Sequence, residues 1–89
     1  MRQNQQRTDI PIANTWTAVT IPIGATDFIL AIEDETATFR VSVDNTIDAT
    51  NAGLYIGTTG FYSHEGTNTT EITLYVSASA VTSVVLQYN

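Results

Sequence analysis

The sequence predicts an all-β domain, a small antiparallel β-sandwich or jelly roll of about seven strands with an extended N-terminal arm. Three observations carry this. Short runs of β-branched and aromatic residues recur about every ten residues, separated by Gly, Pro, Asn, Asp and Ser. Within several runs apolar and polar residues alternate, most clearly in Phe39-Arg40-Val41-Ser42-Val43-Asp44, the period of a strand with one buried and one wetted face. No stretch carries a helical period. The 89 residues suffice for one domain. A domain of this size buries only about 60–65% of the surface of its unfolded chain, so association with other protein is the expected source of extra stability.

Residues 1–14 are rich in Gln and Asn and contain Pro11, a composition too polar to build a core. They are expected to form an extended arm that lies along a neighbouring subunit or a larger surface, with Ile10 and Ile12 as apolar anchors on one side and Arg2 and Arg7 meeting carboxylates. The body, residues 15–89, then begins with a strand over 15–21 that places Trp16, Ala18 and Thr20 on one side and Thr17, Val19 and Ile21 on the other. Pro22 and Gly24 end it. Phe28-Ile29-Leu30-Ala31-Ile32 is apolar at every position, which predicts a strand buried on both faces or placed at an interface. Glu33-Asp34-Glu35 reads as a solvated turn, since it lacks the spaced oxygen ligands and glycine of a calcium loop.

The strand over 38–44 is the expected centre of a sheet, with Arg40 set against one of the nine carboxylates. Residues 44–53 are rich in Asn, Asp and Thr and predict irregular turns. Leu54-Tyr55-Ile56 and Phe61-Tyr62 read as short strands joined by a Gly57-Thr58-Thr59-Gly60 hairpin loop, and 63–70 as a polar loop. Residues 71–76 alternate as a strand, 77–80 form a small-residue bend, and 81–88 make the last strand with Val84, Leu86 and Tyr88 on one face.

Composition removes several classes of function. With a net charge of -6 and no lysine, the body repels phosphate, so nucleic acid is not an expected partner. There is no cysteine and one histidine, which leaves no thiolate site and no histidine cluster, and no cofactor or metal is expected. His64 beside Glu65 is expected to be an exposed loop residue, no catalytic group is assigned, and the chain is not expected to be an enzyme. No apolar run approaches the roughly 20 residues of a membrane span and no signal-peptide core is present, so a soluble cytoplasmic product without membrane contact is expected. Trp16, Tyr55, Tyr62 and Tyr75 are the residues that could stack on sugar rings, although strand positions predict core or subunit contacts for them. Asn68-Thr69-Thr70 matches a glycosylation acceptor, to which no role is assigned. Charged residues make up only 13% of the chain, about half the usual share, and such a surface suits lasting contact with protein.

The segments Val19-Thr20-Ile21-Pro22-Ile23-Gly24-Ala25, Phe39-Arg40-Val41-Ser42-Val43-Asp44, Leu54-Tyr55-Ile56, Gly60-Phe61-Tyr62 and Thr73-Leu74-Tyr75-Val76-Ser77 resemble small virion accessory proteins of tailed bacteriophages. The resemblance covers most of residues 15–89 and excludes the arm. It implies a β-sandwich or jelly-roll component of the particle, such as a head decoration (cement) protein, a head-fibre base or a tail-tip component. The expected function is that of a capsid decoration protein on the virion, a homo-oligomer and specifically a homotrimer, whose partner is the major capsid protein or another virion protein. Trp16, Phe28, Arg40, Tyr55, Tyr62 and Tyr88 are the candidates for core, subunit or partner contacts. A receptor- or glycan-binding module of a fibre or tail is the alternative.

Overall fold

The structure, a computed structural model, describes residues 4–34, 36–46, 48–50, 52–57 and 61–89. Eight strands run in the order β1 (Asn4–Ile10), β2 (Thr17–Ile21), β3 (Thr26–Ile32), β4 (Phe39–Ser42), β5 (Leu54–Gly57), β6 (Phe61–Thr67), β7 (Ile72–Ala78) and β8 (Thr82–Tyr88). They form two four-stranded antiparallel sheets, the first in the order β1-β8-β3-β6 and the second β2-β7-β4-β5. Pairing β1 with β8, β2 with β7, β3 with β6 and β4 with β5 amounts to one long hairpin folded about the β4–β5 connection. Added pairing of β3 with β8 and of β4 with β7 rolls that hairpin into a jelly roll.

Alternation produces the core. Val19 and Ile21 of β2, Phe28 and Leu30 of β3, Phe39 and Val41 of β4, Leu74 and Val76 of β7, and Val84 and Leu86 of β8 all point between the sheets and are buried. Removing these side chains from water is the main stabilising term, at roughly 25 cal/mol per Å² of apolar surface. As expected, β4 is an interior strand, flanked by β7 and β5. It stops at Ser42 rather than Asp44. The Ser42 hydroxyl donates to the Asp44 carbonyl at 2.9 Å and accepts from the Asp44 amide at 3.0 Å, a local turn that swings Val43 out to 78% exposure.

The structure corrects four expectations. The supposed arm is, over residues 4–10, the edge strand β1, in register with β8 from Asn4 opposite Tyr88 to Ile10 opposite Thr82. Backbone pairing satisfies a polar strand as well as an apolar one, and only the final residue, Ile10, has to enter the core, where it is fully buried. Second, Leu54–Gly57 and Phe61–Thr67 are not a hairpin, since β5 pairs with β4 in the second sheet and β6 with β3 in the first. Residues 58–60 lie outside the described residues. Third, β6 continues to Thr67 through most of the supposed polar loop, because an edge strand exposed over most of its length needs no apolar pattern. Fourth, β7 runs on through Ser77 and Ala78, both buried, and so the bend begins at Ser79.

Where β6 ends, Asp27 adopts a left-handed conformation (φ 52) at an irregularity in the β3–β6 register, and its Oδ1 accepts the Gly66 amide at 2.9 Å. The aspartate thereby satisfies a backbone donor that the interrupted ladder leaves over.

Candidate functional site

The two outer faces of the sandwich differ in what covers them. On the first sheet the buried apolar positions are Ile10, Phe28, Leu30, Val84 and Leu86, so alternation turns Arg7, Ile29, Ala31 and Val85 outward, together with Ser83, which is buried on that side beside Asp9. The register places four of the outward residues in one row across all four strands. Arg7 lies opposite Val85, Val85 opposite Ala31, and Ala31 opposite Phe61. The next row in the sheet sets Gln5, Gln87, Ile29 and Ser63 side by side. No described element lies over this face, and Phe61 is 56% exposed. At one margin Arg7 is held by Glu33 at 2.9 Å and lies 3.9 Å from Asp9, whose Oδ1 also accepts the Ser83 hydroxyl at 2.7 Å. These contacts fix where a cation stands beside an apolar strip.

The second sheet covers itself. Ser77 points outward from β7 yet is buried, because its hydroxyl donates to the Ala49 carbonyl at 2.9 Å and draws the β4–β5 connection over the face. Trp16 joins this cover. A side chain at Gly53 (φ +82) would meet the Trp16 ring edge and the Val41 carbonyl, each at 3.0 Å, so glycine is required there by both conformation and space. Beyond the covered part, the Arg40 guanidinium sits 4.9 Å over the ring of Tyr55, its cross-strand partner. Such a pair at a partly exposed site contributes about 0.5–1 kcal/mol. Tyr75, between Ala18 and Ser42 in the register, faces outward on the same sheet.

The sequence candidates therefore separate. Trp16, Arg40 and Tyr55 share the outer face of the second sheet. Arg40 differs from expectation in resting on an aromatic ring, while both ion pairs among the described residues belong to Arg7. Phe28 is 2% exposed and belongs to the core, where its ring lies 6.0 Å from that of Tyr62 and 5.3 Å from that of His64. Tyr62 and Tyr88 are half-buried and pack against that core from the first sheet, the core option among the contacts expected for them. Ile10 is likewise core and not an anchor for a neighbour, whereas Ile12 is 62% exposed in the β1–β2 connection. Arg7 meets carboxylates of its own chain, and Arg2 lies outside the described residues. Ile29, Ala31, Val85 and Phe61 were missed as a group. The signal existed in the unbroken apolar runs 28–32 and 84–86, which an alternating strand with one wet face does not show.

The carboxylates serve as turn formers. In the repeated Asp-x-Thr pattern, Asp34 accepts the Thr36 hydroxyl at 2.7 Å and amide at 2.9 Å, and Asp44 accepts the Thr46 hydroxyl at 2.7 Å and amide at 2.8 Å. Asp48 accepts the Thr50 amide at 2.9 Å. The threonine hydroxyl first and its amide second hold the Asp34 and Asp44 carboxyls below the ordinary value of 3.8. Among the described residues no three His, Asp or Glu side chains come together as metal ligands. His64 is exposed, as expected, but on strand β6 opposite Phe28. Asn68 of the acceptor pattern is 5% exposed, its backbone N–H donating to the Ala25 carbonyl and its backbone carbonyl accepting the Gly24 N–H, and its side-chain Nδ2 is buried, so the folded chain does not present it for modification. No protein-family model matches the chain, and neither does any curated protein or solved structure.

Proposed function

We propose that the chain is a structural protein of a bacteriophage particle, a capsid decoration protein that binds the outer shell as an oligomer and ties neighbouring subunits together. One observation carries this reading: the first sheet turns the row Val85, Ala31 and Phe61, with Ile29 beside it, outward with no described element over it, although the same chain covers part of its second sheet. A domain able to close one face and leaving the other apolar is shaped to complete that face with protein. The low content of charged residues points the same way. The test is co-sedimentation of the purified chain with capsids lacking it. Wild type should travel with the shells, and Val85→Asp should stay in the supernatant. A wild-type chain that remains in the supernatant sinks the reading.

The alternative, a glycan-binding module, is favoured by one arrangement, the outward Trp16, Tyr55 and Tyr75 on the second sheet, with Tyr55 55% exposed. A glycan array answers it: signal lost on Tyr55→Ala would support binding, and an array without signal would exclude the sugars displayed.

A further inference from the structure

We infer that the outer face of the first sheet is covered by the same face of a second copy, in a two-fold pair whose axis runs parallel to the strands. The inference rests on the reading of that face as a protein contact and names its occupant. A two-fold axis lying between two stacked sheets has two simple orientations, along the strands or across them. An axis across the strands sets each strand over its own counterpart, and centred on the row of four it would bring Arg7 onto the second Arg7 and place like charges face to face. The axis along the strands exchanges the sheet edges, so β1 covers β6 of the other copy and β8 covers β3.

The row of four is complementary to itself in this second arrangement. Because Arg7, Val85, Ala31 and Phe61 stand side by side in strand order, reversal places Arg7 over Phe61 of the other copy and Val85 over Ala31, each contact made twice. A cation meets an aromatic ring, and a branched side chain meets a methyl group. Ile29 then covers the stem of Gln87 in the adjoining row. Arg7 is positioned for this in the single chain, since Glu33 already holds it at 2.9 Å. Four strands spaced by about 4.8 Å, each rising about 3.3 Å per residue, make a face whose pairing removes on the order of 1,000 Å² from water, where specific interfaces begin. The assembly is thus a pair, in place of the trimer expected from sequence.

Light scattering on the purified chain should give the mass of two copies, and Ala31→Arg, next to the axis, should give one. Ile23→Arg, in the exposed β2–β3 connection, should remain paired. A second measurement leaves the packing nearly intact. The chain has no cysteine, so Arg7→Cys and Phe61→Cys chains can be mixed and treated with a bis-maleimide with a two-carbon spacer. Facing positions are about 10 Å apart across the sheets, while two Phe61 positions are also displaced by three strand spacings, about 14 Å. The mixture should yield cross-linked pairs and neither variant alone should. A monomer, or cross-linking within either variant alone at the level of the mixture, overturns the inference. Capsid co-sedimentation of the wild type separates the two readings: a chain monomeric in solution that binds shells upholds capsid decoration and overturns this inference, and a cross-linked pair that ignores shells upholds this inference alone.

Discussion

Gly53 concentrates two constraints in one residue, since it holds a left-handed backbone and lies against both the Trp16 ring and the Val41 carbonyl. Gly53→Ala should therefore destabilise the domain by more than about 1 kcal/mol in urea unfolding. Gly24, also at positive φ but with open space around it, should lose about 1 kcal/mol from backbone strain alone when replaced by Ala. Equal losses would show that the Trp16 contact is relieved at no cost. The Asp-x-Thr turns have a pH signature. The folded Asp44 carboxyl titrates below its ordinary 3.8, so the unfolded chain takes up the proton first as pH falls. Its contribution is complete above 3.8 and is lost as pH drops through the lower folded value. The difference in melting temperature between wild type and Asp44→Ala should accordingly narrow below 3.8, and an unchanged difference would separate the turn from the carboxylate charge.

Strand β1 shows how little apolar surface an element needs when its backbone is paired. Six of its seven residues are polar, and its only residue fully in the core is Ile10. Ile10→Ala should cost about 2–5 kcal/mol, whereas Ile12→Ala, at 62% exposure, should stay within about 0.5 kcal/mol of wild type. Chemical denaturation of the two variants distinguishes an integral edge strand from a detachable arm. Deletion of residues 1–14 should lower the stability of the body as well as any binding to particles, so loss of binding by that truncation would not identify a docking arm. Edge strand β6 differs in kind. None of its residues is more buried than the half-exposed Tyr62, and its outward Phe61 belongs to the proposed contact face, so Phe61→Ser should barely change unfolding while weakening self-association.

At the level of the whole molecule, the jelly roll joins the two ends of the chain, with Asn4 opposite Tyr88. Such distant pairing places refolding in the range of about milliseconds to seconds, which stopped-flow fluorescence of Trp16 can follow; completion within microseconds would contradict the topology. In the proposed pair two bodies of net charge -6 repel each other, and salt screens the repulsion, with a Debye length of about 8 Å at physiological ionic strength. Self-association should therefore tighten as salt is raised from about 0.01 to 0.15 M, read by sedimentation at several concentrations. What the sequence by itself determined is the class of fold and most of the inward set: alternation identified Val19 and Ile21, Phe39 and Val41, Leu74 and Val76, and Val84 and Leu86, because period two is a local property of a strand. It also marked 28–32 as apolar on both sides. Only the tertiary structure decided that residues 4–10 are a strand, that β5 and β6 part into different sheets, and that Arg40 rests on Tyr55 while Arg7 takes the carboxylates. Those outcomes depend on which strands become neighbours. Pairing is made between residues tens of positions apart, and a polar edge strand carries no periodic signal by which its own segment could announce it.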